Sequence, residues 1–216
     1  MLRDRKPNRS CEKIGFCSSS RWTAGINGAS ACSRNKGGEM SLNTALAISL
    51  GVLGAIATWL FLGPLGGALA IWAAFIAWGC FFHSGGKEGG LQSTILGTAA
   101  GAVIAGITLW FALKSGLGDR LGVPVWAAIC VGIGVAAMML LANISVFSNI
   151  PAQVYGFAAT VALTLLTNSA DKLTEASLAN PEIAIILSMI IGAVFGYVSE
   201  KVAGLLAGES RAHAKA

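Results

Sequence analysis

GPLGGALAIWAAFIAWGCFFHSGGKEGG, residues 63–90, decides how this chain is read. An apolar run over about 68–82 opens after Gly63-Pro64 and closes on paired glycines. Its length is near the lower limit for crossing a hydrocarbon core of roughly 30 Å. Proline removes a backbone donor and glycine is entropically costly inside a helix, so Pro64, Gly66 and Gly67 predict a break before a short helix. A second segment of the same design opens at Pro151 and runs to about residue 167, after a polar interruption over 143–149. Short or Gly/Pro-broken apolar segments at matching places in two halves point to the binding or permeation site of a membrane transport protein.

Working outward, four longer apolar spans surround these two: 42–62, 91–113, 123–142 and about 182–203. The expected fold is therefore an all-α integral membrane protein of six transmembrane segments, with segments 2 and 5 short or broken. It divides into three-helix halves at 40–120 and 121–204, followed by a polar tail at 205–216. Three features recur in the same order: Gly51/Gly54 is answered by Gly132/Gly134, Pro64 by Pro151, and Gly97-xxx-Gly101 by Gly192-xxx-Gly196. Such small-xxx-small pairs bring helix backbones together, and singly they are common in membrane helices. Their shared order is what points to a repeat. An odd number of spans per half makes the second half enter from the opposite side, so the expected repeat is inverted.

Composition agrees: with 55% hydrophobic residues and only 12% charged, the chain is far from the usage of soluble domains. The net charge of +5 does not signal nucleic-acid binding, because residues 1–39 carry all of it and the body is neutral. That leader lacks an apolar core and is no secretory signal peptide. Lys36-Gly37-Gly38-Glu39-Met40 is what a purine-rich ribosome-binding site would encode, so Met40 is the expected start and 1–39 the expected untranslated stretch; the alternative is a basic, disordered arm on anionic headgroups. Cys11, Cys17 and Cys32 lack zinc-ribbon spacing, and no metal or cofactor is expected. Counted from Met40, basic residues favour the termini-bearing side by a slight excess, which points both termini to the cytoplasm.

No charged residue falls near the middle of a predicted span, which argues against a proton-coupled pump. Neutral polar groups gather instead around the broken segments: Asn149, Gln153, Tyr155 and Thr160 in the second half, with Trp72 and the Gly66/Gly67 backbone in the first. Irregular backbone at membrane depth survives only where protein or a wet cavity satisfies it. These residues, with Pro64 and Pro151, are the expected lining of a narrow, weakly polar passage, though interhelical hydrogen bonding fits the polar side chains equally. Histidine is the side chain suited to switching charge near neutral pH, so His83 is read either as a pH-responsive gate or as an interfacial residue. Trp59, Trp78, Trp110 and Trp126 suit interfacial anchoring. The loop at 85–90 lacks phosphate-loop spacing, and nothing resembles a nucleophile or paired catalytic carboxylates, so no enzyme is expected.

SLNTALAISLGVLGAIATW, LAIWAAFIAWGCFFHSGG and FSNIPAQVYGFAATVAL, with the Gly-rich third span between them, resemble the bacterial inner-membrane family called domain of unknown function 1097. The resemblance covers Met40 to about Gly204. A similar algal membrane protein is regarded as an inorganic-carbon channel, so the resemblance implies a trimer with a pathway inside each subunit. The expected function is a membrane channel or facilitator for a small neutral or weakly charged solute, acting as a homo-oligomer in the bacterial inner membrane. A non-transporting structural or assembly protein and an ion-coupled secondary transporter are the alternatives.

Overall fold

The computed structural model describes residues 41–213, with side chains through 207; the leader 1–39 and a start at Met40 lie outside them. The described residues are helical without strands: α1 Leu42–Leu62, α2 Ile71–His83, α3 Lys87–Lys114, α4 Leu117–Leu121, α5 Val123–Leu141, α6 Ile150–Leu166 and α7 Pro181–His213. Of these, α1, α3, α5 and α7 are long and apolar enough to cross a membrane, while α2 and α6 are apolar but shorter. This is a multi-pass membrane architecture.

Local sequence sets the boundaries. Ser41 opens α1 by accepting the Thr44 N–H at 3.1 Å, and α1 ends where the Gly63 N–H turns back to the Trp59 carbonyl ahead of Pro64. Between α2 and α3 the chain needs left-handed backbone, supplied by Gly85 (φ 89°) and Gly86 (φ 65°). Proline stands in the first turn of both α5 and α6, where its missing donor costs nothing. The span expected to begin at 91 starts four residues earlier, at Lys87, whose N–H is held by Glu200 Oε2 at 2.7 Å. The expected polar tail is also helical as far as His213, continuing α7. The turn after Lys114 holds a helix, α4, that the sequence did not announce.

α3 and α7 form the central pair. α3 packs against α6 and α5, while α7 packs against α2 and α1. Buried residues make up 44% of the apolar window of α3 and of α7, against 22% in α1 and 17% in α5, so the last two are the outer helices. α2 and α6 run antiparallel, since Ser84 at the end of α2 meets Asn149 at the start of α6. Between them the bundle centre is filled by Ala73, Ala77, Ala102, Ala159, Ile185 and Met189, each at most 2% exposed. Small side chains let four helices meet at close range there.

Candidate functional site

The glycines expected to pack helices stand at two close crossings. A Cβ on Gly101 would lie 1.9 Å from the Gln153 carbonyl oxygen, and one on Gly97 would lie 2.5 Å from the Ala152 Cβ. On α7, a Cβ on Gly192 would lie 2.0 Å from the Ala74 carbonyl oxygen, and one on Gly196 would lie 2.8 Å from the Phe81 ring. Only glycine permits the backbone contacts at Gly101 and Gly192, while Gly97 and Gly196 make room for the Ala152 and Phe81 side chains. One turn ahead of each pair, on the same helix face, stands a serine: Ser93-xxx-Gly97-xxx-Gly101 and Ser188-xxx-Gly192-xxx-Gly196.

Both serines reach the start of a short helix. Asn149 caps α6 by accepting the Ala152 N–H at 3.2 Å, and its Nδ2 donates to Ser93 Oγ at 2.7 Å and to Ser84 Oγ at 2.8 Å. Ala70, which has no capping side chain of its own, donates its N–H to Ser188 Oγ at 3.0 Å. A serine on α3 thus holds the start of α6, and a serine on α7 holds the start of α2. Sequence reasoning missed Ser84, Ser93 and Ser188. The signal was present in the four-residue step that extends each glycine pair backward.

The two breaks do not meet. Pro64, Gly66 and Gly67 lie exposed at one end of α2, and Asn149 and the exposed Pro151 at the other, across a thirteen-residue helix about 20 Å long. What the sequence cast as a passage between the breaks is the alanine-rich centre described above. Its expected linings go to different surroundings. Gln153 is fully buried, with Nε2 donating to the Phe147 carbonyl at 2.5 Å and Oε1 without a partner among the described residues. Thr160 is fully buried too, and returns its hydroxyl to the Gly156 carbonyl at 3.0 Å. Back-bonding of this kind satisfies a hydroxyl where no water is at hand. Tyr155 is half-buried beside His83, its hydroxyl 3.4 Å from Nδ1.

At the other end, Gly67 and Trp72 border a cleft of about 440 Å³ with Leu163, Thr167, Ser169 and Lys172. It combines hydroxyls, an ammonium and an indole at the start of α2. Nearby, Lys114 pairs with Asp171 and holds that exposed carboxyl below the usual range, by hydrogen bond first and by charge second. Among the described residues no cluster of three or more His, Cys, Asp or Glu could hold a metal ion.

A match to the family described as "Protein of unknown function (DUF1097)" spans residues 47–204. The chain is a DUF1097 protein. No curated protein and no solved structure matches it. Both Ser-Gly-Gly motifs, both short helices and the cleft fall within the DUF1097 region.

Proposed function

We propose that this DUF1097 protein is a membrane facilitator for a small neutral or weakly charged solute, built from two inverted three-helix halves. α1, α2 and α3 form one half and α5, α6 and α7 the other. The observation that carries this reading is the reciprocal pair of serine contacts, Ser93 to Asn149 and Ser188 to Ala70. They put equivalent motifs at the starts of the two shorter apolar helices. The packing partners support it, because exchanging α1 with α5, α2 with α6 and α3 with α7 returns the same set of helix pairs. In inverted-repeat transport proteins substrate sites form where discontinuous helices begin, and irregular backbone lines a cavity. Here the cleft at the start of α2 serves as one mouth. The alanine layer beyond it is shut, so passage requires α2 and α6 to part.

Liposome flux tests this. The full chain, reconstituted without an ion gradient, is expected to speed the equilibration of at least one small solute over empty liposomes. Trp72→Ala, at the mouth, is expected to change that rate without loss of folded protein. A requirement for an ion gradient would move the assignment to coupled transport. The filled centre favours one other reading, a non-transporting scaffold, and flux no faster than in empty liposomes for every solute would establish it. A homo-oligomer, with the trimer as the form to look for, and placement in the bacterial inner membrane with cytoplasmic termini complete the proposal.

A further inference from the structure

We propose that the groove between α3 and α5 seats one acyl chain of a bilayer phospholipid, whose phosphate meets Arg120. The groove, about 370 Å³, is lined by Ile104, Ile107, Phe111, Trp126, Ile133 and Ala137 among others. Ile107 is 55% exposed and Ile133 65%, so the slot opens outward along two spanning helices, where hydrocarbon is the solvent. Gly134 forms part of its wall and can carry no side chain to fill it, since a Cβ would lie 2.5 Å from Thr108 Oγ1.

One end of the groove has the chemistry of a headgroup. Trp126 Nε1 donates to the Phe111 carbonyl at 3.3 Å, an indole in the pose favoured at a membrane interface. Next to it lies α4, where a Cβ added to Gly118 would lie 3.8 Å from Trp126 Cδ1, and two residues on is the exposed Arg120. Lys114 at this end is tied to Asp171, whereas Arg120 makes no ion pair among the described residues. A guanidinium suits bidentate contact with a phosphodiester. Asp119 adjoins Arg120, so the rim is not strongly basic and a zwitterionic headgroup suffices. An apolar slot and, on the adjoining α4, a guanidinium without an ion pair among the described residues fit a phospholipid, which supplies an acyl chain and a phosphodiester together.

Native mass spectrometry of the full chain in mild detergent tests this with added phosphatidylethanolamine and, separately, diacylglycerol. The wild type is expected to keep one phosphatidylethanolamine per chain through a wash that removes diacylglycerol. Ala137→Phe, which fills the slot, is expected to lose it. Arg120→Gln, on the exposed α4, is expected to erase the preference for the phosphate-bearing lipid, and decides alone if Ala137→Phe fails to fold. No retained lipid in the wild type, equal retention of diacylglycerol, or unchanged retention in Arg120→Gln overturns the proposal. So does a folded Ala137→Phe that keeps its lipid or that loses subunits in its place, the latter assigning the groove to a second copy.

Discussion

The crossing of α3 with α6 and the crossing of α7 with α2 use the same three-residue device and finish it differently. At the first, Ser93 meets a side chain: Asn149 caps its own helix and joins Ser84 to the long helix, so the start of α6 is closed by a polar knot. At the second, Ser188 meets bare backbone at Ala70, and the start of α2 borders an open cleft. The difference teaches that two similar frames have been put to different uses, one sealed and one accessible. A cap made by the helix itself leaves the long helix free of that duty, whereas α2 depends on α7 for its first turn.

The largest effect is expected where the frames are alike. Gly101→Ala and Gly192→Ala each force a methyl into a facing carbonyl and are expected to cost about 1–3 kcal/mol or more, read as loss of folded protein in denaturant titration in detergent. Gly51→Ala, with open space around it, is the control and is expected to be neutral or to stabilise by about 0.5–1 kcal/mol. Equal losses at all three positions would erase the distinction between crossing glycines and outer ones.

Next comes the contrast itself. Ser188→Ala leaves a buried N–H without its acceptor and is expected to cost about 1–3 kcal/mol. Asn149→Ala removes a helix cap and is expected to cost about 0.5–2 kcal/mol. Hydrogen exchange separates the two, with Ser188→Ala raising exchange in the first turn of α2 and Asn149→Ala in that of α6. Gln153→Leu is expected to fall within about 1 kcal/mol of neutral, because it removes an unpartnered acceptor together with one hydrogen bond.

The smallest effect lies at the rim. Lys114 depresses the Asp171 carboxyl, so the contribution of the pair is present above the carboxyl's unfolded value and is lost as pH falls through its lower folded value. The group is fully exposed, and salt screens it. Asp171→Asn is expected to leave the thermal midpoint at neutral pH nearly unchanged and to flatten only its acid-side slope.

Much of the frame was legible in the sequence. The bounds of α1 follow from Ser41 and Gly63-Pro64, and the glycine pairs mark both crossings because no other residue tolerates such contact. What was not legible depends on which way side chains face. In a string of letters Gln153 and Thr160 fit pore lining and interhelical hydrogen bonding equally, and only the fold shows that each is fully buried in helix contacts. The alanines at 73, 77, 102 and 159 look inert, yet together they fill the space between the short helices. Serines are common enough in membrane helices that Ser93 and Ser188 gain meaning only from the partners they touch. α4 escaped notice because its five residues carry no apolar period.

The central claim is that the two short helices begin at opposite faces of the membrane. Leu65→Cys and Ser148→Cys, each placed singly in a chain with its native cysteines replaced, test it by labelling with a membrane-impermeant thiol reagent in vesicles of one known orientation. The account predicts that one position labels only from outside and the other only from inside. Labelling of both from the same side would contradict it.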